Sequence, residues 1–331
     1  MNVGLIGAGR IGIRRAEVLQ KTLAAHLIAV ADSDLAQAQA IAQPCGAQAT
    51  TDWEEVARNP KVQAVIVATP HHLLSPVALE AVTQGKHVLV EKPMGRTPEE
   101  VQAVIAAAEK NKVLVKAGFN HRYHPAIRRA KQLVSEGAIG ELIFIRSRYG
   151  HGGRPGYEKE WRCDPKIAGG GELLDQGIHL IDLGRWFLGD FEQTQGAITT
   201  GFWPIGPMED NAFALLRTKK GQIFSFHSSW TQWKNLFSFE IYGKEGSLTV
   251  EGLGGSYGPE RLIVARRRAA SGPPEEKIEE FPGPDLSWQM EWEEFAGAIQ
   301  NGTPFMGTGK EGLAAIQTAH AIYQAARGGT K

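Results

Sequence analysis

Val3-Gly-Leu-Ile6 runs directly into Gly7-Ala-Gly-Arg-Ile-Gly12, and a stretch rich in Arg, Ala and Leu follows. A short apolar strand, a turn with three glycines and a helix, in this order, are typical of a dinucleotide-binding turn. Gly7 permits the turn, Gly9 lets the backbone approach a pyrophosphate, and Gly12 lets helix and strand pack closely. The stretch therefore predicts a dinucleotide-binding fold at the start of the chain.

Asp32 ends the second predicted strand, about where such a site needs a carboxylate for the ribose hydroxyls. A carboxylate would repel the extra phosphate of NADP, and no Arg follows Asp32 to compensate, so NAD is the predicted cofactor and NADP is disfavoured. A helix N-cap in Asp32-Ser-Asp34 is an alternative role, but it does not require an acid at the strand end.

Composition and length limit the class of protein. The chain has 331 residues, 42% of them apolar, which is enough for two domains. Its 36 Lys+Arg balance 36 Asp+Glu, so we expect neither a nucleic-acid partner nor a membrane surface. Cys45 and Cys163 are too few for a disulfide framework. No apolar stretch approaches the ~20 residues of a membrane span, and the N-terminus has no basic region before an apolar core, so we expect neither a span nor a signal peptide. We therefore expect a cytoplasmic protein.

Residues 1–120 alternate short β-branched runs with Ala-rich helical stretches, which predicts an α/β, doubly wound parallel sheet of the Rossmann type. The predicted strands are Val3–Ile6, His26–Ala31, Val65–Thr69, His87–Glu91 and Val113–Ala117. The predicted helices are Arg14–Thr22, Ser75–Gln84 and Pro98–Asn111.

Residues 121–331 show a different pattern, in which successive strands joined by tight turns predict an antiparallel sheet. Residues 269–285 are predicted to be a surface loop. We expect a homodimer or homotetramer, because Phe224, Phe226, Trp230, Phe237 and Phe239 would otherwise leave apolar surface in water. The predicted helices are Pro125–Glu136, Glu172–Leu188, Trp288–Gln300 and Lys310–Arg327, and the predicted strands are Glu141–Tyr149, Gln195–Thr200, Asn211–Thr218, Gln222–Ser229, Phe237–Tyr242 and Ser247–Glu251.

Five stretches spread along nearly the whole chain resemble the glucose-fructose oxidoreductase / inositol dehydrogenase (Gfo/Idh/MocA) family. They are Gly7–Gly12, Ala68-Thr-Pro70, Gly85-Lys-His-Val-Leu-Val-Glu-Lys-Pro93, Gly118-Phe-Asn120 and Gly169-Gly-Gly-Glu-Leu-Leu-Asp-Gln-Gly-Ile-His179. The resemblance implies a Rossmann domain at residues 1–120 and, at residues 121–331, a substrate-binding and oligomerisation domain of α+β type with an open, mainly antiparallel sheet. It also implies NAD(P)-linked oxidation or reduction of sugars, cyclitols and related compounds. Many members carry a His at the position of Leu74, so support for a role of the neighbouring His72 is weak.

The resemblance also implies site residues. Lys92 matches the family's catalytic lysine, Asp175 and His179 match its catalytic pair, and Asn120 matches a residue near the nicotinamide. A cis bond before Pro93 is implied as well. The predicted cofactor site consists of Gly7, Gly9, Arg10, Ile11, Gly12, Asp32, Ser33, Thr69, Pro70, His72, Glu91, Lys92 and Asn120.

Oxidising a secondary alcohol needs a base for the hydroxyl proton and a group that stabilises the developing alkoxide. His179 and Lys92 fit these roles. Asp175 lies four residues before His179, so on a helix it can orient the imidazole or raise its pKa. An Asp/His pair at this spacing is usually a helix-surface contact, and zinc is a poorer interpretation because no third ligand is marked. No metal is predicted.

The segment 149–162 combines aromatic and cationic side chains and precedes the catalytic segment, which suggests a substrate lip. An aromatic face can cover the apolar side of a sugar ring, and an Arg can pair with a carboxylate or diphosphate. Trp230 and Trp233 are further candidates, although aromatic residues on a sheet more often lie in a core or interface. The predicted substrate site consists of Lys92, Tyr149, Arg154, Tyr157, Trp161, Arg162, Asp175 and His179.

The leading hypothesis is an NAD-dependent dehydrogenase that moves hydride between the nicotinamide and a CH–OH group of a sugar, cyclitol or nucleotide-linked sugar. An NAD-dependent glycoside hydrolase of the same fold is one alternative. A non-catalytic NAD-binding regulator is another, but such a protein does not need Lys92, Asp175 and His179.

Overall fold

The computed structural model describes residues 1–22, 25–268, 270 and 272–328. These residues form two units. The first unit comprises Met1–Phe119, Lys166–Gly169 and Trp288–Gln317, and the second comprises the rest. A single boundary near residue 120 therefore misplaces residues 288–317, whose Trp292 and Phe295 belong to the hydrophobic core of the first unit. The functions assigned to the two domains stay a prediction, and residues 329–331 lie outside the described part.

The first unit contains a six-stranded parallel sheet, which confirms the predicted doubly wound fold. Its central strands are almost fully buried because helices cover both faces of such a sheet. One strand, β3, was not predicted, since it has only three residues and no apolar run. In spatial order the strands are β3 (Gln48–Thr50), β2 (His26–Ala31), β1 (Asn2–Ile6), β4 (Ala64–Val67), β5 (His87–Glu91) and β6 (Val115–Gly118).

Three of the described helices begin at a side-chain cap. Asp34, Asp52 and Thr97 each accept a hydrogen bond from a backbone N–H of the first turn that follows. In the described residues no helix is both long and apolar enough to cross a membrane. The helices are α1 (Arg10–Lys21), α2 (Leu35–Cys45), α3 (Trp53–Arg58), α4 (His71–Thr83), α5 (Pro98–Asn111), α6 (Pro125–Ser135), α7 (Pro165–Ala168), α8 (Ile178–Leu188), α9 (Ser287–Asn301) and α10 (Gly309–Gly328).

The second unit contains an eight-stranded sheet that is antiparallel except where β10 pairs with β7. The predicted loop at 269–285 was wrong for Glu275–Glu280, which forms the edge strand β14; Ala269 and Ser271 lie outside the described residues. Its charged sequence hides the strand, and charges are a common protection of sheet edges. In spatial order the strands are β14, β13 (Arg261–Arg266), β12 (Gly246–Glu251), β11 (Leu236–Gly243), β7 (Leu142–Gly150), β10 (Ile223–Ser229), β9 (Asn211–Thr218) and β8 (Phe191–Thr199).

Helix α8 covers one face of this sheet. A Cβ atom on its Gly184 would lie 2.4 Å from the Phe224 ring, and the Phe187 and Phe239 rings are 5.5 Å apart. The five aromatic residues from which an interface was predicted are therefore core residues, each at most 4% exposed. The face opposite α8 instead exposes Phe213 and Leu215. The sequence-based reason for an oligomer was thus wrong, because it assigned the aromatic residues to the open face.

Candidate active site

The glycine turn between β1 and α1 has the shape of a phosphate cradle. Gly7 has φ +100°, and a Cβ atom there would lie 2.4 Å from the Ala68 carbonyl oxygen; at Gly12 it would lie 2.0 Å from the Gly7 carbonyl oxygen. A Cβ atom on Gly9 would meet no described atom within 4 Å. Gly7 and Gly12 are thus required for packing, whereas Gly9 leaves open space where a pyrophosphate approaches the backbone.

Asp32 follows β2 and holds the turn together. Its Oδ2 accepts a hydrogen bond from the Ala8 N–H at 2.6 Å, and its Oδ1 accepts one from the Asp34 N–H at 2.9 Å. The carboxylate is still partly accessible, as are the predicted cofactor residues Arg10, Ile11 and Ser33. Asp32 is therefore fixed by the backbone and stays available to ribose hydroxyls.

Two buried polar atoms lie beyond β4, at the same edge of the sheet. Thr69 Oγ1 and His72 Nδ1 have no hydrogen-bond partner among the residues that the structure describes. Buried polar atoms are normally paired, so these two fit a ligand that supplies the missing partner. Together with the open space at Gly9, they show that the residues of this edge suit a dinucleotide. Pro70 lies between them and precedes the first turn of α4.

Lys92 follows β5 directly and is half-buried, and the Lys92–Pro93 bond is cis, as predicted. The preceding residue, Glu91, is buried against Arg15 of α1, with 2.6 Å between Arg15 Nη2 and Glu91 Oε1. Arg15 also pairs with Glu291 at 2.7 Å and stacks on the Trp288 ring. Glu91 thus belongs to a buried ion cluster under Lys92, and its predicted contact with the cofactor stays a prediction.

In the second unit, Asp175 and His179 are nearly buried, at 6% and 5% exposed. The predicted helix 172–188 starts as a π-helical segment, Leu173–Gly177, and continues as α8. Such segments are rare and often occur at functional sites. Arg162 approaches the pair from the loop, with 3.3 Å between its Nε and Asp175 Oδ2.

The glycine-rich start of this segment is explained by Glu209, which the sequence analysis missed. Its carboxylate accepts hydrogen bonds from the Gly171 and Leu173 N–H groups and from the Tyr323 hydroxyl. Burial raises the pKa of Glu209. A Cβ atom on Gly171 would lie 2.0 Å from the Glu209 carbonyl oxygen, so only glycine permits this approach. Glu209 therefore anchors the beginning of the segment that carries Asp175.

His121 is a second residue that the sequence analysis missed. Its ring stacks on the His179 ring with centroids 3.8 Å apart and an interplanar angle of 21°. Asn120 Oδ1 lies 3.2 Å from His121 Nδ1, and Tyr149 packs edge-on against both imidazoles. Burial is the main cause that raises the pKa of Tyr149, and the neighbouring Tyr257 is the second, so the Tyr149 phenol stays protonated. The available signal was a histidine directly after the Gly118–Asn120 motif.

The predicted lip is organised by ion pairs and aromatic packing. Arg154 pairs with Glu160 at 2.6 Å, and Arg162 lies over the Trp161 ring. Tyr157 is buried against Trp203 and Trp230, and burial raises its pKa. Tyr157 is therefore an anchor of the loop. The substrate contacts of the lip stay predictions.

Known proteins resemble the chain over its whole length. Residues 1–119 match the oxidoreductase family with an NAD-binding Rossmann fold, and residues 127–249 match the GFO/IDH/MocA C-terminal domain. Levoglucosan dehydrogenase of Pseudarthrobacter phenanthrenivorans is 30% identical over 286 residues, which cover 75% of this chain and 73% of that protein. Inositol 2-dehydrogenase of Rubrobacter xylanophilus is 28% identical and covers 99% of this chain and 91% of its own length.

A solved structure of levoglucosan dehydrogenase in complex with NADH superimposes with a TM-score of 0.90 at 25% identity, and it covers 99% of this chain and 97% of its own. These findings agree with the glycine turn, the Rossmann topology and the open sheet described above. The predicted fold class, the NAD cofactor and the oxidoreductase class are thereby confirmed. The chain belongs to the Gfo/Idh/MocA family of oxidoreductases, and its N-terminal part is the NAD-binding Rossmann fold of that family.

Proposed function

We propose that this oxidoreductase oxidises a secondary alcohol of a neutral sugar or cyclitol with NAD. The observation that carries the proposal is the nearly buried pair of Asp175, on the π-helical segment Leu173–Gly177, and His179, in the first turn of α8. An imidazole with a carboxylate four residues before it is suited to take a proton. Membership of the family supplies NAD as the hydride acceptor.

The roles follow from the chemistry of each side chain. NAD, when bound, accepts the hydride. His179 takes the hydroxyl proton, Lys92 stabilises the negative charge that develops on the substrate oxygen, and Asp175 orients the imidazole. The turn shaped by Gly7 and Gly12 would hold the pyrophosphate at Gly9, and Asp32 would hold the ribose. Thr69, Pro70 and His72 would complete the cofactor site with Arg10, Ile11, Ser33, Glu91 and Asn120.

The charge pairing in the lip favours a neutral substrate over a sugar acid or a nucleotide-linked sugar. Arg154 is neutralised by Glu160, and Arg162 is shared between Glu160 at 3.6 Å and Asp175 at 3.3 Å. A diphosphate would have to break these pairs, and each paired charge would lose its partner. Levoglucosan and inositol, named in the relatives, are both uncharged.

We further propose a cytoplasmic homodimer or homotetramer that prefers NAD to NADP. Cys45 and Cys163 are both free thiols, which suits a reducing compartment. The apolar side chains Phe213 and Leu215 on the open sheet face support self-association. Asp32 supports the preference for NAD because its charge opposes a 2′-phosphate.

The proposal is tested with a panel of neutral sugars, anhydrosugars, inositols, sugar acids and nucleotide sugars, assayed for NADH formation. We expect turnover with a neutral polyol. Cleavage of a glycoside without net NADH would instead favour the NAD-dependent hydrolase, and NAD binding without any turnover would favour a regulator.

Lys92 and His179 should act in the chemical step rather than in holding NAD. We expect His179→Ala to lower kcat by roughly two to four orders of magnitude, the usual range for loss of a general base, with a nearly unchanged Kd for NAD. Lys92→Ala should behave similarly. His227→Ala, on the sheet of the second unit, is the control and should keep native kcat. Near-native turnover of His179→Ala would show that the base lies elsewhere, with Tyr123 or His151 next to be tested.

A further inference from the structure

His121 and His179 form a stacked imidazole pair inside the second unit. The ring centroids are 3.8 Å apart, and the ring planes are inclined by 21°. His121 and His179 are 6% and 5% exposed. The 3₁₀ segment Asn120–Tyr123 supplies one ring and α8 the other. Two positive charges at this spacing repel strongly where little water screens them. The geometry thus links the protonation of one ring to that of the other.

The hydrogen bonds around Asn120 define the neutral form of His121. Asn120 Nδ2 donates to Ser287 Oγ at 3.0 Å, which leaves its Oδ1 to accept from His121 Nδ1 at 3.2 Å. His121 therefore carries a proton on Nδ1 when it is neutral. Asn120 holds the ring plane in place and faces it toward His179.

The ionisable groups around the pair come from several elements of this unit. The centroid of the Tyr149 ring on β7 lies 5.3 Å from that of His121 and 6.4 Å from that of His179. The Tyr257 ring contacts Tyr149, with centroids 5.4 Å apart. His124 lies 5.7 Å from His121, but Glu260 accepts from its Nδ1 at 2.9 Å. On the segment before α8, Glu172 is buried, and Asp175 is paired with Arg162.

These surroundings leave room for one added charge on the pair. Glu260 is satisfied by His124 and by the Ala126 N–H, and Arg162 offsets Asp175. A single imidazolium next to a neutral aromatic face is stabilised by the ring electrons, whereas a second proton would face the first across the stack.

We propose that His121 is a positioning residue for the proposed base, and that the stacked pair takes up one proton as a unit in the working pH range. This inference rests on the proposed function of His179. As hydride leaves the substrate carbon for NAD, the substrate O–H bond breaks and its proton passes to His179. The neutral His121 ring fixes the imidazolium in the stack, and the proton then leaves to water, which restores the neutral pair.

The direct test is a titration of the histidine ring signals by NMR in protein with ¹³C-labelled histidine, measured without substrate. In the native protein the two rings should titrate together in two steps, because interacting sites have shared macroscopic pKa values. In His121→Phe, which keeps an aromatic ring in the stack, His179 should titrate in one step. In the native protein, the step at which the second proton binds should lie more than about one pH unit below the single step of His179 in His121→Phe. His227, which stacks on Phe213 at 4.0 Å, is an internal reference for a histidine beside a ring that does not titrate.

The kinetic test uses the pH dependence of kcat/KM for alcohol oxidation. A permanent charge in His121→Arg should favour neutral His179 and shift the acid limb to lower pH by about one unit. His227→Phe should leave the profile unchanged. His121→Gln serves as a second neutral variant if the phenylalanine variant does not fold.

Two results separate the hypotheses. Independent one-step titrations of His121 and His179 in the native protein, or an acid limb that does not move in His121→Arg, would overturn the inference alone. Native turnover of His179→Ala would instead overturn the proposed base, whatever the NMR titration gives.

Discussion

At the residue scale, single positions in the glycine turn have different tasks. A Cβ atom on Gly12 would collide with the Gly7 carbonyl oxygen, whereas one on Gly9 would enter open space. Asp32 combines both kinds of task, since it binds the Ala8 N–H and remains accessible. The residues that build the turn and those that contact the ligand are thus separable by mutation.

Gly9→Ala and Gly12→Ala should therefore have opposite signatures. Gly9→Ala should keep the free energy of unfolding within about 1 kcal/mol of native but weaken NAD, because the methyl group occupies the approach of the pyrophosphate. Gly12→Ala should cost about 1–3 kcal/mol or more of stability by overpacking. Urea unfolding and NAD titration of both variants check this. Equal losses of stability would contradict the assignment.

Asp32→Asn should change the cofactor preference without dismantling the turn. The amide oxygen can still accept from the Ala8 N–H, although the amide NH2 group cannot accept from the Asp34 N–H. The charge that bonds ribose hydroxyls and repels a 2′-phosphate is lost. We expect the Kd for NAD to rise about tenfold, equivalent to ~1.4 kcal/mol, and the gap to NADP to narrow. Calorimetric titration with both cofactors measures this, and Asp32→Ala should add a loss of stability. Equal or tighter NADP binding by the native protein would contradict an NAD preference.

At the scale of elements, buried polar clusters hold the site segments in place. In the first unit, Arg15 of α1 pairs with both Glu91 and Glu291 of α9. Glu91 ends β5 and immediately precedes Lys92 in the chain. In the second unit, Glu209 and Tyr323 hold the start of the π-helical segment. Each cluster connects elements that are distant in sequence, so each site segment depends on remote residues.

Arg15→Met should destabilise the protein by about 3–5 kcal/mol, because two buried carboxylates lose their partner. Burial raises the pKa of Glu291, and the positive charge of Arg15 opposes this rise. Removal of Arg15 should therefore raise the pKa of Glu291 further. A carboxyl group whose pKa is higher in the folded than in the unfolded state contributes to stability at low pH. That contribution is lost as the pH rises through the folded-state pKa. The deficit should therefore shrink from pH 8 to pH 5.

The measurement is urea unfolding across this pH range. Arg58→Met is the matched control, because Arg58 pairs with Glu54 and Glu80 on the surface and should change stability little. A pH-independent deficit in Arg15→Met would show that lost packing, rather than uncompensated charge, causes it.

At the scale of the whole molecule, the open face of the second sheet is the main candidate for assembly. Phe213 and Leu215, on the face opposite α8, are 46% and 44% exposed. Phe213 also stacks on His227, which extends the flat surface. Neighbouring apolar side chains on an uncovered face support the proposed self-association.

We expect the double variant Phe213→Glu/Leu215→Glu to dissociate the proposed oligomer at micromolar concentration. Buried glutamates in an apolar interface would lose hydration without gaining partners. Sedimentation velocity measures the change, and Leu79→Glu, an exposed leucine of α4 in the first unit, is the control. A native protein that is already monomeric would contradict self-association through this face.

Local pattern was sufficient for the parts of this protein in which neighbouring residues cooperate. The glycine turn, the alternation of strands and helices, and the family motifs around Lys92, Asp175 and His179 all lie within short stretches, so the sequence by itself determined the Rossmann fold and the candidate chemistry. Tertiary structure alone decided the stack of His121 on His179 and the role of Arg15, because their partners are tens to hundreds of residues away. It also decided which sheet face is open: a period of two shows which residues share a face, but only the packing of α8 shows which face is covered.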